Sequence, residues 1–278
     1  MNSSLKSLYR NEVAFELNKR TNSAVTEIVS EKDVEPLPEP VQRFFHHCGF
    51  VGKEKPMNAK IDWKEAFLKR SRHGKWMPLG CLQFNDAAEP ARIVYMKSNL
   101  AGLFLFEGRD KFQNGHGNML IKLLNFITLG DAKGPEMDAS ALVTVLAETF
   151  LVPGYALQPY LSWTAIDATS AGATLTYNGV TVSGTFQFNS LGEMLRFETD
   201  DRYLSAKGNS YQKQRWYVTA GNYKTKNGVC FATRLTAAWL LEEEPFEYFR
   251  GTIEDITYNV QLPQIFNSRP LTVVPSPA

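Results

Sequence analysis

Cysteine is scarce in this 278-residue chain. Cys48, Cys81 and Cys230 are odd in number and widely spaced, which excludes the framework of a disulfide-held secreted scaffold. Three reduced, buried thiols are expected instead. A surplus of either charge is also missing: 30 Lys and Arg stand against 29 Asp and Glu, a formal net charge of +1. No long-range field would then recruit nucleic acid or an anionic membrane. The most apolar window, Leu100 to Phe106, falls far short of the roughly 20 residues that a spanning helix needs, so no transmembrane segment is expected. Lys6, Arg10, Glu12 and Glu16 interrupt the start where a signal peptide requires an apolar stretch. A cytoplasmic protein is the resulting expectation.

The common catalytic and cofactor motifs are missing as well. There is no G-x-S-x-G, no P-loop, and no G-x-G-x-x-G between a strand and a helix. His46, His47 and Cys48 stand together, but adjacent helical residues point about 100° apart, and no CxxC, HxH or HExxH supplies further ligands. His73 and His116 lie in turn-like contexts without a neighbouring ligand type. Neither a metal nor a cofactor is expected.

What is present is an ordinary globular composition, 44% hydrophobic and 21% charged. A core of this size removes about three quarters of the unfolded surface from water. Leu5, Tyr9, Val13 and Leu17 recur at helical spacing and predict an amphipathic helix in the first twenty residues. The stretch EKDVEPLPEP (Glu31 to Pro40) breaks it, and a second helix near residues 41–48 buries Val41, Phe44, Phe45 and Cys48, with Gly49 as its left-handed cap. From Asn58 the period changes to two. Strands are predicted at 60–69, 76–85, 92–97, 103–112, 119–129, 163–167, 172–177, 180–188, 195–200, 216–223, 230–240 and 252–259. In the clearest, Val180, Val182, Gly184, Phe186 and Phe188 share one face. Asn178-Gly179 and Asn227-Gly228 predict type I′ hairpins. Asp138 as N-cap, Leu142, Val145, Leu146 and Phe150 at helical spacing, and Pro153 as stop place a helix at 139–151 between two halves of the sheet.

The fold class that follows is α+β, with a strongly curved antiparallel β-sheet of ten or more strands, a half-barrel, and the helices at 41–48 and 139–151 in its concave face. The expected organisation is an N-terminal helix and linker at 1–35, one curved-sheet domain at 36–260, and an extended tail from 261 to 278.

Two kinds of site compete. The chain carries 18 Phe, 11 Tyr and 5 Trp. A long curved sheet with few covering helices has more apolar inner face than they can fill, which favours a hydrophobic or amphipathic, lipid-like small molecule between sheet and helices. Trp163, Phe186, Phe188, Tyr203 and Trp239 are the candidate walls, and Arg202 or Arg250 the candidate holders of a polar head. The alternative is an enzyme whose acidic and arginine cleft uses Asp131, Glu136, Asp201 and Arg202. Against it, Asp138 and Glu136 are explained by a helix start and Gly134-Pro135 by its turn. A third reading is an interaction module presenting its first helix and its tail to a partner.

The segments LPEPVQRFFHHCGFVG (Leu37 to Gly52), GDAKGPEMDASALVTVLAETFLVP (Gly130 to Pro153), WTAIDATSAGATLTYNGVTVSGTFQFNSLGEMLRFETDDRY (Trp163 to Tyr203), GNYKTKNGVCFATRLTAAWLL (Gly221 to Leu241) and YFRGTIEDITYN (Tyr248 to Asn259) resemble, in order and spacing, an uncharacterised bacterial family of unknown function. The chain departs from the expected pattern in having Phe at 44 or 45, where the first motif often has Tyr, and Arg215 where Pro is expected. The resemblance implies no activity and transfers no catalytic residue. Its pattern of sheet over helix looks like the half-barrel of bacterial lipoprotein carriers.

Overall fold

The computed structural model describes residues 4–19, 26–100, 104–124, 126–205, 210–242, 244–266 and 273. The chain opens with α1 (Leu5–Lys19), the single turn α2 (Glu31–Val34) and α3 (Glu39–His47). A first meander follows: β1 (Asn58–Leu68), β2 (Met77–Asp86), β3 (Ala91–Leu100), β4 (Phe104–Gln113), β5 (His116–Leu123) and β6 (Ile127–Ala132). Helix α4 (Pro135–Ala147) and a 3₁₀ turn (Pro153–Leu157) lead into the second run. It comprises β7 (Leu161–Asp167), β8 (Ser170–Tyr177), β9 (Val180–Phe188), β10 (Met194–Thr199), β11 (Tyr203–Ser205), β12 (Tyr211–Lys213), β13 (Trp216–Lys226), β14 (Val229–Leu241) and β15 (Glu244–Tyr258), before a short α5 (Leu262–Phe266).

Thirteen of these strands form one antiparallel sheet in the order β6-β5-β4-β3-β2-β1-β15-β14-β13-β10-β9-β8-β7, and β11 and β12 pair separately. Nearly every neighbour in the sheet is a neighbour in sequence, as short hairpin turns dictate. The exception that matters is the pairing of β1 with β15, which joins the first and second meanders at the centre. Strands β6 and β7 are therefore the two outer edges, and α4 carries the chain from one edge to the other.

Local chemistry accounts for most elements. In β9, Val182, Phe186 and Phe188 are buried while Thr181, Ser183 and Gln187 are exposed, the alternation of a half-buried strand. Asn178-Gly179 (φ 49° and 77°) and Asn227-Gly228 (φ 53° and 72°) adopt the left-handed pairs that type I′ turns require. Asn114-Gly115 does so too, between β4 and β5. Helix α1 buries Leu5, Tyr9, Val13 and Leu17 against Leu82, Phe84, Ile93 and Tyr95 on one face of the sheet. Helix α4 covers the opposite face, with Leu142, Val143, Val145 and Leu146 fully buried. It touches β4 and β5 of the first meander and β8, β9 and β10 of the second. At one end the two meanders meet directly: Phe112 of β4 packs edge-on against Tyr177 of β8 at 6.3 Å, and the Asn178 amide donates to the Asn114 carbonyl at 3.1 Å.

Several expectations need correction. Residues 119–129 are not one strand, because Leu124 takes a positive φ of 52° and the chain turns back as β6. The middle helix spans Pro135–Ala147 rather than 139–151, with Gly134 at its N-cap and Pro135 in its first turn. Asp138 is thus inside the helix, and its carboxylate accepts the Gly117 N–H at 2.7 Å, tying α4 to β5. The Glu31–Pro40 break contains α2, begun by a capping box between Ser30 and Asp33. The short β11–β12 hairpin carries no pattern long enough to read. Position 103 of the fourth predicted strand lies outside the described residues, as does the tail at 267–272 and 274–278.

Candidate functional site

The end of β10 decides where the charged cluster Asp200-Asp201-Arg202 points. Asp201 accepts the N–H and hydroxyl of Ser183, both at 2.9 Å, and pairs with Lys213 at 2.8 Å. Asp200 takes a two-pronged contact from Arg215. With both acids engaged there, Arg202 turns toward α4. Its Nη1 donates to the Ser140 carbonyl at 2.8 Å and to the Thr144 hydroxyl, while the Tyr203 N–H donates to the Ser140 hydroxyl at 3.0 Å. The guanidinium lies 4.4 Å from the Trp216 ring and 5.7 Å from the Trp239 ring, two indoles paired across β13 and β14. Tyr248 stacks on Trp239 at 6.1 Å and accepts the Trp216 indole N–H at 3.0 Å. Among the described residues no carboxylate pairs with Arg202, and its Nε is buried without a partner.

The other residues singled out from sequence divide into groups. Phe186 and Phe188 are buried, and both pack edge-on against Phe150 beyond α4, at 4.9 and 5.0 Å. Trp163 joins them at 6.0 Å and donates its indole N–H to the Ala156 carbonyl. Arg202 and Trp239 come together, while the Tyr203 ring lies 5.8 Å from the Lys213 ammonium. Arg250 does not join them: it lies over Phe67 and Trp76, on the face opposite Phe249, which meets Trp63. The acids of the enzyme reading do not converge on Arg202 either. Asp131 is held by Asn118 and Lys133 at the β6 edge, and these bonds keep its carboxyl below the usual range. Burial opposes ionisation of Asp201, but Lys213 and Ser183 outweigh it and also hold that carboxyl low. Asp200 and Asp201 border a polar surface recess of about 320 Å³ between β7 and β10, lined by Thr164, Thr174, Ser183 and Thr185. Its carboxylates are paired rather than poised.

Two constellations have no sequence signature. Glu148, just past α4, accepts from Gln83 and Asn85 of β2 and from Arg92 of β3, each at 2.8 Å, and Arg92 also reaches Asp110 at 2.7 Å. Burial works against the charge on Arg92, but Glu148 and Asp110 outweigh it and raise its affinity for the proton. The second constellation lies at the end of α3, where His47, Glu193 and Cys230 bring their ligand-type atoms within 4.8 Å of one another. Cys48 sits beside them, its thiol raised by burial and by the Cys230 thiol. The sequence offered His47 and Cys48 but no hint that a β9–β10 turn and the start of β14 would close on them.

A family model spans residues 27–251, which contain both constellations, α4 and Arg202. The chain belongs to DUF6544, a family of unknown function. No curated protein matches it. Among solved structures, this DUF6544 chain is similar to a LolA superfamily protein from Nitrosomonas europaea, with 10% identity, 82% of this chain and 97% of that one covered, and a TM-score of 0.43. It is also similar to a DUF1329 family protein from Desulfovibrio piger, with 9% identity, 84% and 95% coverage, and a TM-score of 0.38. No helix among the described residues of the DUF6544 chain is long and apolar enough to cross a membrane.

Proposed function

We propose that this chain binds a hydrophobic or amphipathic small molecule, with an anionic or strongly polar end, on the α4 face of a strongly curved half-barrel sheet. The observation that carries the reading is Arg202: a guanidinium held between α4 and two indoles, with a buried Nε and no carboxylate partner among the described residues. An arginine partly withdrawn from water ordinarily has an acid to offset its lost hydration, and where it has none an anionic ligand group can supply the missing charge. Half-buried Phe246, Tyr248, Phe249, Trp63 and Val218 pack against the core on this side and would meet the apolar part. Phe186, Phe188 and Trp163 form the filled end of the same layer, closed by Phe150, and so stand behind the site.

The contacts across the sheet support the curvature. Strands β4 and β8 are third and twelfth in sheet order, which in a flat sheet at about 4.8 Å per strand would set them about 43 Å apart. Phe112 and Tyr177 are 6.3 Å apart. A sheet that wraps α4 reconciles the two numbers.

Organic extraction or native mass spectrometry of the purified protein should release a co-purifying amphiphile. In a displacement assay with a fluorescent fatty acid, Arg202→Ala should weaken binding by about 10-fold or more, the equivalent of a charge-assisted hydrogen bond of about 1.5–3 kcal/mol. A neutral analogue of the probe should bind both proteins alike, and thermal unfolding of the variant reports whether α4 is still anchored. Empty protein with no saturable probe binding would overturn the reading, as would an Arg202→Ala variant that binds the anionic probe unchanged.

A further inference from the structure

We propose that His47, Glu193 and Cys230 form a binding site for a borderline divalent cation of the zinc class. The proposal is independent of the Arg202 site.

Three chain segments meet there by backbone contact. The α3 C-terminus supplies His47, the β9–β10 turn supplies Glu193, and the first residues of β14 supply Cys230. Gly192, at a φ of 96°, lets that turn touch the α3 backbone: a Cβ would sit 2.6 Å from the Arg43 carbonyl carbon. Gly49 performs the same service on the other side, where a Cβ would lie 2.4 Å from the Gly228 carbonyl oxygen. The Cys230 N–H donates to the Cys48 carbonyl at 2.9 Å, and the Lys53 ammonium donates to the Asn227 carbonyl at 3.1 Å. The ligand-type residues are therefore carried on rigidly docked backbone rather than on free loops.

The glutamate is also oriented. Asn189 accepts the Leu191 and Glu193 N–H groups with its side-chain oxygen and donates its amide to Glu193 Oε2 at 2.7 Å. That leaves Oε1 facing His47, at 3.7 Å from Nε2. The separation is too long for a hydrogen bond. It matches the spacing of two atoms sharing a tetrahedral ion, about 3.4 Å from metal–ligand bonds of about 2.1 Å. Imidazole nitrogen, carboxylate oxygen and thiol sulfur together suit zinc better than calcium or magnesium, which take oxygen alone. An amide that holds a ligating carboxylate from behind, as Asn189 holds Glu193, is the arrangement that tunes such sites. The His47 side chain is 33% exposed, so the fourth position opens to solvent and the site is of the three-ligand kind.

Cys48 is the competitor. Its thiol neighbours that of Cys230, and a disulfide between the two would remove the sulfur ligand. The test is titration of the full, reduced, metal-stripped chain with Co²⁺ and with Zn²⁺. Binding of one equivalent with a thiolate-to-cobalt charge-transfer band is expected, together with a rise in Tm on adding Zn²⁺. Cys230→Ser should abolish the band, and His47→Ala and Glu193→Gln should each weaken Zn²⁺ binding by about 10-fold or more. Cys48→Ser should retain the band. Glu193→Gln keeps the Asn189 contact, so it distinguishes a lost ligand from a lost fold. Three results would overturn the proposal: no uptake of either ion, a Co²⁺ spectrum without thiolate character, or Zn²⁺ affinity equal in wild type and the three ligand variants. A Cys48–Cys230 disulfide that forms in the wild type whether or not Zn²⁺ is present would do so as well.

Discussion

Glu148 and Phe150 are two residues apart at the end of α4, yet they enter different worlds. Glu148 turns to the first meander and is met by Gln83, Asn85 and Arg92. Phe150 turns to the second and is met by Phe186, Phe188, Trp163 and, from α3, Phe44. One helix end thus joins two halves by opposite means, a charged network on one side and ring packing on the other. The ring packing tolerates neighbours of similar volume, whereas every member of the polar network needs its partner. The comparison teaches that covering one sheet with one helix does not impose one chemistry on the layer between them.

The largest expected effects come from breaking each side. Glu148→Ala would leave Arg92 with Asp110 alone and take the shared acceptor from Gln83 and Asn85, and should cost about 3 kcal/mol. Phe150→Ala would empty the centre of the ring cluster and should cost a similar amount, about 3–5 kcal/mol. Equilibrium urea unfolding measures both. The comparison sharpens in the double variant Arg92→Met/Glu148→Leu, which removes the charges of that pair, leaves the half-buried Asp110 without its cation and should recover part of the Glu148→Ala loss. If the double variant is as unstable as Glu148→Ala, the network contributes through geometry rather than charge pairing.

The smallest effect expected is at Asp201, a partly exposed acid beyond α4's reach. Asp201→Asn should cost about 1 kcal/mol near neutral pH through the weakened Lys213 and Ser183 contacts. Because the folded carboxyl is held below its ordinary value of 3.8, its contribution is full above that value. It is lost as pH falls below 3.8 and the native carboxylate is protonated. Unfolding midpoints of wild type and Asp201→Asn should therefore converge in acid; a gap that persists there would assign the effect to packing instead.

Elements with a strong local pattern were legible from sequence. The apolar row Leu5-Tyr9-Val13-Leu17, the cap at Gly49, and the Asn178-Gly179 and Asn227-Gly228 turns all have local causes, and the structure contains each. So was the antiparallel order within each meander, because short turns leave the chain little choice. The β5–β6 turn was missed because Leu124 occupies a conformation that side chains of its kind seldom adopt, and no Gly or Pro marks it. Asp138 was misread for the opposite reason: it is a good cap residue, but Pro135 starts the helix earlier and Gly117 takes the carboxylate. Of the residues named from sequence, the Arg202 guanidinium lies 5.7 Å from the Trp239 ring, while Arg250 lies over Phe67 and Trp76, a single step away in the strand alternation.

By itself the sequence determined the alternating strands, the helix spacing and the hairpin connections, since those depend on interactions among residues a few positions apart. Only the tertiary structure decided that β1 pairs with β15, that α4 bridges the sheet's outer edges, and that no acid among the described residues pairs with Arg202. The same holds for His47, which meets Glu193 and Cys230 from far along the chain. These are contacts between groups whose separation in sequence carries no periodic signal, fixed by which surfaces must leave water together.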